Sequence, residues 1–121
     1  MAKQASDKEP DPRSLLPLTP AVFHIMLALA ERECHGYGIM LEVERLTEGL
    51  LRLGPGTLYR SIQRLVLDGL IEELTDNHDA GDDDERRRYY RLTKLGLAVA
   101  QAEAQRLENL VRAAHQRGLL S

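Results

Sequence analysis

From residue 20 onward, apolar side chains recur at helical spacing. Val22, Ile25, Met26 and Leu29 share one face, and Phe23, Leu27 and Ala30 share another. Thr19 can accept a hydrogen bond as an N-cap and Pro20 suits the first helical position, which predicts a helix to about Glu33. Two apolar faces call for burial on two sides, the second against another subunit. Cys34-His35-Gly36-Tyr37-Gly38 breaks the pattern and opens a second helix to about Thr47, with Ile39, Met40, Val43 and Leu46 inward and Gly49 closing it. Gly54-Pro55-Gly56-Thr57 starts a third helix that runs to about Asp68, where Gly69 stops it.

The period then changes. Residues 70–74 and 88–92, rich in Ile, Leu and Tyr, read as two strands of a hairpin joined through a long polar tip. Tyr89 and Tyr90 alternate across the second strand, so one is expected in the core and the other outside. Thr93 caps a final helix over about 94–117, ended by Gly118. Leu95, Ala98, Val99 and Ala102 repeat after 12 residues as Leu107, Leu110, Val111 and Ala114. At about 3.6 residues per turn the two sets lie about a third of a turn out of phase, so one stripe cannot serve both. The first half is expected to pack on its own domain. The second, with Phe23, is expected to pack on a partner chain: Phe23, Leu107, Leu110, Val111 and Ala114 are the candidate dimerisation residues.

The fold expected is therefore mainly α with a small β-hairpin, in the order helix, helix, helix, strand, strand, helix. Residues 1–14 read as a flexible polar tail, 15–93 as the domain proper and 94–118 as the dimerisation helix.

Composition narrows the function. The 121 residues are 43% hydrophobic and 29% charged, which suits one domain with a packed core. No apolar run approaches the roughly 18 residues of a membrane span, the first residues lack the apolar core of a secretory signal, and Cys34 has no second cysteine to pair with. A cytoplasmic protein is expected. Sixteen Lys+Arg against 19 Asp+Glu leave a formal net charge of -3, which alone argues against binding nucleic acid.

The distribution of charge argues the other way. On the third helix Leu58, Ile62 and Leu65 form an apolar stripe, and Thr57, Arg60, Ser61 and Arg64 form the opposite one, with Tyr59 and Gln63 on the flank. A major groove admits one helix, arginine can donate two hydrogen bonds to a guanine edge, and hydroxyls reach phosphates. From Leu50 to Leu67 there are three arginines and no acid; from Arg86 to Lys94 there are five basic residues and no acid. The rest of the chain has eight positive and 19 negative charges, a balance of -11, so only one face is expected to bind. In a winged helix-turn-helix those two basic stretches are the elements that meet DNA.

Leu18-Thr19-Pro20, His35-Gly36-Tyr37-Gly38, Leu53-Gly54-Pro55-Gly56-Thr57-Leu58-Tyr59-Arg60, Asp68-Gly69-Leu70-Ile71 and residues 85–93 (ERRRYYRLT) together resemble the PadR-like transcriptional regulators over about residues 16–117. The resemblance implies a winged helix-turn-helix homodimer that represses transcription from near-palindromic double-stranded operators. The single C-terminal helix resembles the short subfamily. Carried onto this sequence, the resemblance implies that Tyr37 and Gly38 open the second helix near a phosphate and that Pro55, Gly56 and Thr57 place the start of the third. Tyr59, Arg60 and Arg64 are the expected groove and phosphate contacts, with Arg60 the base reader, and Arg86 and Arg88 project from the wing toward the backbone. Relatives of this kind resemble sensors of small aromatic or drug-like inducers held between the C-terminal helices. Here the absence of Trp leaves no visible aromatic clamp.

The tip from Asp76 to Glu85 carries six carboxylates and no Lys or Arg, and is expected to turn away from phosphate. Adjacent Asp82, Asp83 and Asp84 are read as solvated. His24, Cys34 and His35 lack metal-ligand spacing, with Cys34 read as a filler and His35 as a turn residue. No metal, cofactor or catalytic arrangement is expected. The competing reading is a winged-helix protein-interaction adaptor without specific DNA binding, which the acidic tip would suit and the arginine-lined third helix would not.

Overall fold

The computed structural model describes residues 10–74 and 88–121. Helix α1 spans Pro20–Glu31, and the Thr19 hydroxyl caps it by accepting from the Val22 N–H at 3.2 Å. It stops two residues short of the expected end because Arg32 is fully extended and delivers the chain into a two-residue strand, β1 (Cys34–His35). Helix α2 (Gly36–Leu46) and helix α3 (Pro55–Leu67) follow, then β2 (Ile71–Leu74), β3 (Tyr89–Leu92) and helix α4 (Lys94–Gln116).

The expected hairpin is thus a three-stranded antiparallel sheet in the order β1-β3-β2. Cys34 and His35 lie opposite Tyr90 and Tyr89, while Ile71, Glu72, Glu73 and Leu74 lie opposite Leu92, Arg91, Tyr90 and Tyr89. Two residues are too few to show an alternating pattern, which is why β1 is invisible in the sequence. Tyr90 is buried and Tyr89 exposed, as alternation requires.

One core joins all the elements. Ile25, Met26 and Leu29 of α1 pack with Ile39 and Val43 of α2, Leu58, Ile62 and Leu65 of α3, Ile71 and Tyr90 of the sheet, and Val99 of α4. Leu46, expected inward, is 42% exposed; it is the last residue of α2, and Leu53 of the following loop is buried instead. Pro12–Leu15, at the boundary between the expected tail and the domain, form a single 3₁₀ turn that packs against α4.

Thr93 fixes the junction between the sheet and α4. Its hydroxyl donates to the Gly69 carbonyl at 2.6 Å and accepts from the Gly96 N–H at 3.0 Å. Its own N–H donates to the Leu70 carbonyl at 3.0 Å. Gly96 lies so close to Leu70, the residue before β2, that a Cβ would overlap its carbonyl oxygen. Only glycine fits there.

Full burial along helix α4 is confined to its first half. Gly96, Val99 and Glu103 are its buried residues, and from Ala104 to its end none is buried. Glu103 is the one acid of the core among the described residues, 2% exposed, with Arg106 donating to both its oxygens at 2.8 Å. Those hydrogen bonds hold its carboxyl below the usual carboxylate range against the cost of burial, with help from the Leu18 backbone amide. No helix of the described residues is long and apolar enough to cross a membrane.

Candidate nucleic-acid interface

Helix α3 is anchored by Leu58, Ile62 and Leu65, each at most 2% exposed. The opposite stripe is open: Thr57, Arg60 and Arg64 are exposed and Ser61 half-buried. The N-terminus of α3 differs from those of α1, α2 and α4, each of which has a side-chain cap. Gly54 supplies none, Pro55 has no N–H, and the first turn holds no acid. The partial positive charge of this end is therefore uncompensated from within, and the Arg60 guanidinium lies beside Gly56 and adds to it.

Helix α2 begins differently. His35 is its N-cap, its Nδ1 accepting from the Gly38 N–H at 2.9 Å. The expectation that Gly38 offers a backbone donor to phosphate meets a group already engaged by imidazole. Tyr37, the residue before Gly38 in that first turn, is 59% exposed. His35 also meets the ring of Tyr89 edge-on, with centroids 5.2 Å apart, so the cap is braced by the wing strand.

The arginines are less free than their acid-free neighbourhoods in sequence suggest. Arg64 pairs with Asp68 at 3.3 Å, Arg52 with Glu44 at 3.5 Å and Arg88 with Glu73 at 3.5 Å. Arg91 pairs with Glu72 at 2.7 Å and approaches Glu33 at 3.8 Å. All these arginine side chains are at least half exposed, so each pair is weak and exchangeable. Arg86 and the acidic tip lie outside the described residues.

Tyr59 turns along the flank of α3, and its hydroxyl and ring fill the space beside the buried Gly36. Of the candidate dimerisation residues, Phe23, Leu107 and Ala114 are half-buried and Leu110 and Val111 are 54% and 47% exposed. Leu27 and Leu97 add to the exposed apolar surface of α1 and α4. Missed from the sequence were the His35 cap, the acidic partners of the arginines and the Glu103–Arg106 pair. For the last, an acid and an arginine three residues apart gave a signal, but one shared by any solvated helix face.

A helix anchored on one face and cationic on the other, beside a small antiparallel sheet, defines a winged helix-turn-helix regulator. The family model described as "Transcriptional regulator PadR-like family" matches residues 25–102, and the chain belongs to that family, whose members regulate transcription rather than catalyse reactions. The chain is similar to the transcriptional regulator Rv3488 of Mycobacterium tuberculosis, 36% identical over 89 residues that cover 74% of this chain and 77% of that one. Its fold is similar to a PadR family regulator of Clostridium difficile (TM-score 0.66, 24% identity, 81% of this chain and 97% of the other). A transcriptional regulator of Clostridium thermocellum is similar too (TM-score 0.65, 25% identity, 79% and 87%).

Proposed function

We propose that the chain acts in the cytoplasm as a homodimeric repressor, with α3 of each protomer in the major groove of a near-palindromic operator. The observation that carries this reading is the exposed Thr57–Arg60–Arg64 stripe on a helix whose N-terminus is uncapped and free of acid. Arg60 reads a base edge. Arg64 and Thr57 meet phosphate, Pro55 and Gly56 bring the helix end close to the backbone, and Tyr37 extends the contact at α2. Arg88, with Arg86, follows the adjacent backbone from the wing. The dimer is joined by Leu107, Leu110, Val111 and Ala114 of α4 with Phe23 of α1. A small aromatic or drug-like inducer held between the α4 helices would meet mainly aliphatic side chains there, because α4 carries no Phe, Tyr or Trp.

The test is a salt titration of binding to the duplex upstream of the protein's own gene. Affinity falls steeply with salt, and Arg64→Ala lowers the slope by about one. Arg60→Ala relaxes preference at one base pair, costing roughly 1–3 kcal/mol there. Binding that is absent or indifferent to salt overturns the reading. Sedimentation gives the dimer mass for the wild type and a shift toward monomer for Leu107→Glu.

A further inference from the structure

Three of the elements assigned to DNA meet at one side chain. The hydroxyl and ring edge of Tyr59 occupy the place a Cβ would take on Gly36, the first residue of α2. The same side chain lines the groove between α3 and the wing root, together with Glu73, Arg88 and Tyr90. Gly36 is buried and directly follows His35, whose ring caps α2 and rests against Tyr89 of β3. The Tyr59 ring, 45% exposed, lies from the flank of α3 against the start of α2, and this contact limits how closely the two helices approach. That approach determines the angle at which the Arg60 and Arg64 stripe is presented.

We infer that Tyr59 is a positioning residue, which sets the pose of the reading helix by packing on Gly36 instead of contacting the groove itself. The inference deepens the DNA-binding reading and rests on it. Ring volume is what the role requires; the hydroxyl is dispensable, because the ring carbons alone already exclude a side chain at Gly36.

The experiment compares the wild type, Tyr59→Phe, Tyr59→Ala, Gly36→Ala and the Gly36→Ala/Tyr59→Ala double variant. Each is titrated by fluorescence anisotropy with the promoter duplex and with a scrambled duplex, after circular dichroism shows it folded at the assay temperature. Tyr59→Phe keeps the specific-to-nonspecific ratio. Tyr59→Ala and Gly36→Ala each lower it roughly tenfold, the scale of coupling between contacting residues, with the salt slope unchanged. The double variant is no worse than Tyr59→Ala, because the ring that the new methyl would strike is gone. If Tyr59→Ala does not fold, Tyr59→Leu takes its place in the cycle. Loss in Tyr59→Phe equal to that in the alanine variant, or additive losses in the double variant, overturns the inference. A wild type that binds no duplex instead strikes the DNA-binding reading.

Discussion

Arg64 Nε lies 3.3 Å from Asp68 Oδ2, one turn further along α3, so the helix carries a carboxylate beside the arginine assigned to phosphate. A phosphate approaching Arg64 meets Asp68 as a like charge and must displace it. Asp68→Asn is therefore expected to tighten binding to all duplexes by up to about fivefold, the upper scale of an exposed ion pair, most at low salt. Anisotropy at two salt concentrations measures this, and weaker binding would show that the pair orders Arg64 for contact.

Gly96 and Leu70 give a prediction about stability. A methyl at Gly96 overlaps the Leu70 carbonyl oxygen, and neither the α4 backbone nor the Gly69-Leu70 backbone can yield cheaply where Thr93 ties them together. Gly96→Ala should lose about 1–3 kcal/mol in urea unfolding despite the better helix propensity of alanine. A gain would mean that the junction is looser than its hydrogen bonds indicate.

The Glu103–Arg106 pair makes stability depend on pH in a definite direction. The folded carboxyl sits below its ordinary value, so its contribution is complete above the unfolded pKa and disappears as pH falls through the folded one. Glu103→Gln should lower the thermal midpoint at neutral pH, and the gap from wild type should close under acid conditions, below about pH 4. A gap that is constant across pH would assign the effect to packing.

Leu58 is fully buried beneath the exposed arginines of α3. Leu58→Ala is expected to cost about 2–5 kcal/mol, a large share of the roughly 5–15 kcal/mol of a small domain. Gln63→Ala, on the exposed flank of the same helix, should stay within about 0.5 kcal/mol. Denaturant midpoints compare the two.

The helices were legible because burial imposes a period on them: Leu58, Ile62 and Leu65 announce the inner face of α3, and Thr19, Thr93 and the glycines mark helix ends. What escaped depends on which of several possible partners, near or distant in sequence, a side chain meets in the fold. The stretch from Leu50 to Leu67 holds no acid, yet folding brings Glu44 to Arg52 and Asp68 to Arg64, and Glu73 of β2 reaches Arg88. Segregation of charge along the chain is thereby partly undone in space. His35 as a cap and Cys34-His35 as a strand follow from pairing with Tyr89 and Tyr90, which no local pattern encodes. Glu103 interrupts an apolar face with an acid whose burial only Arg106 and Leu18 make tolerable.

The last buried residue of α4 is Glu103, and the helix continues unbroken to Gln116. The 13 residues from Ala104 to Gln116 form a lever about 20 Å long at about 1.5 Å per residue. Tilting this stretch by roughly 5° about one end moves the other by about 2 Å over that length. In the proposed dimer, the distance between the two reading helices, and so the operator spacing they can span, depends on the angle at which the two α4 helices pack.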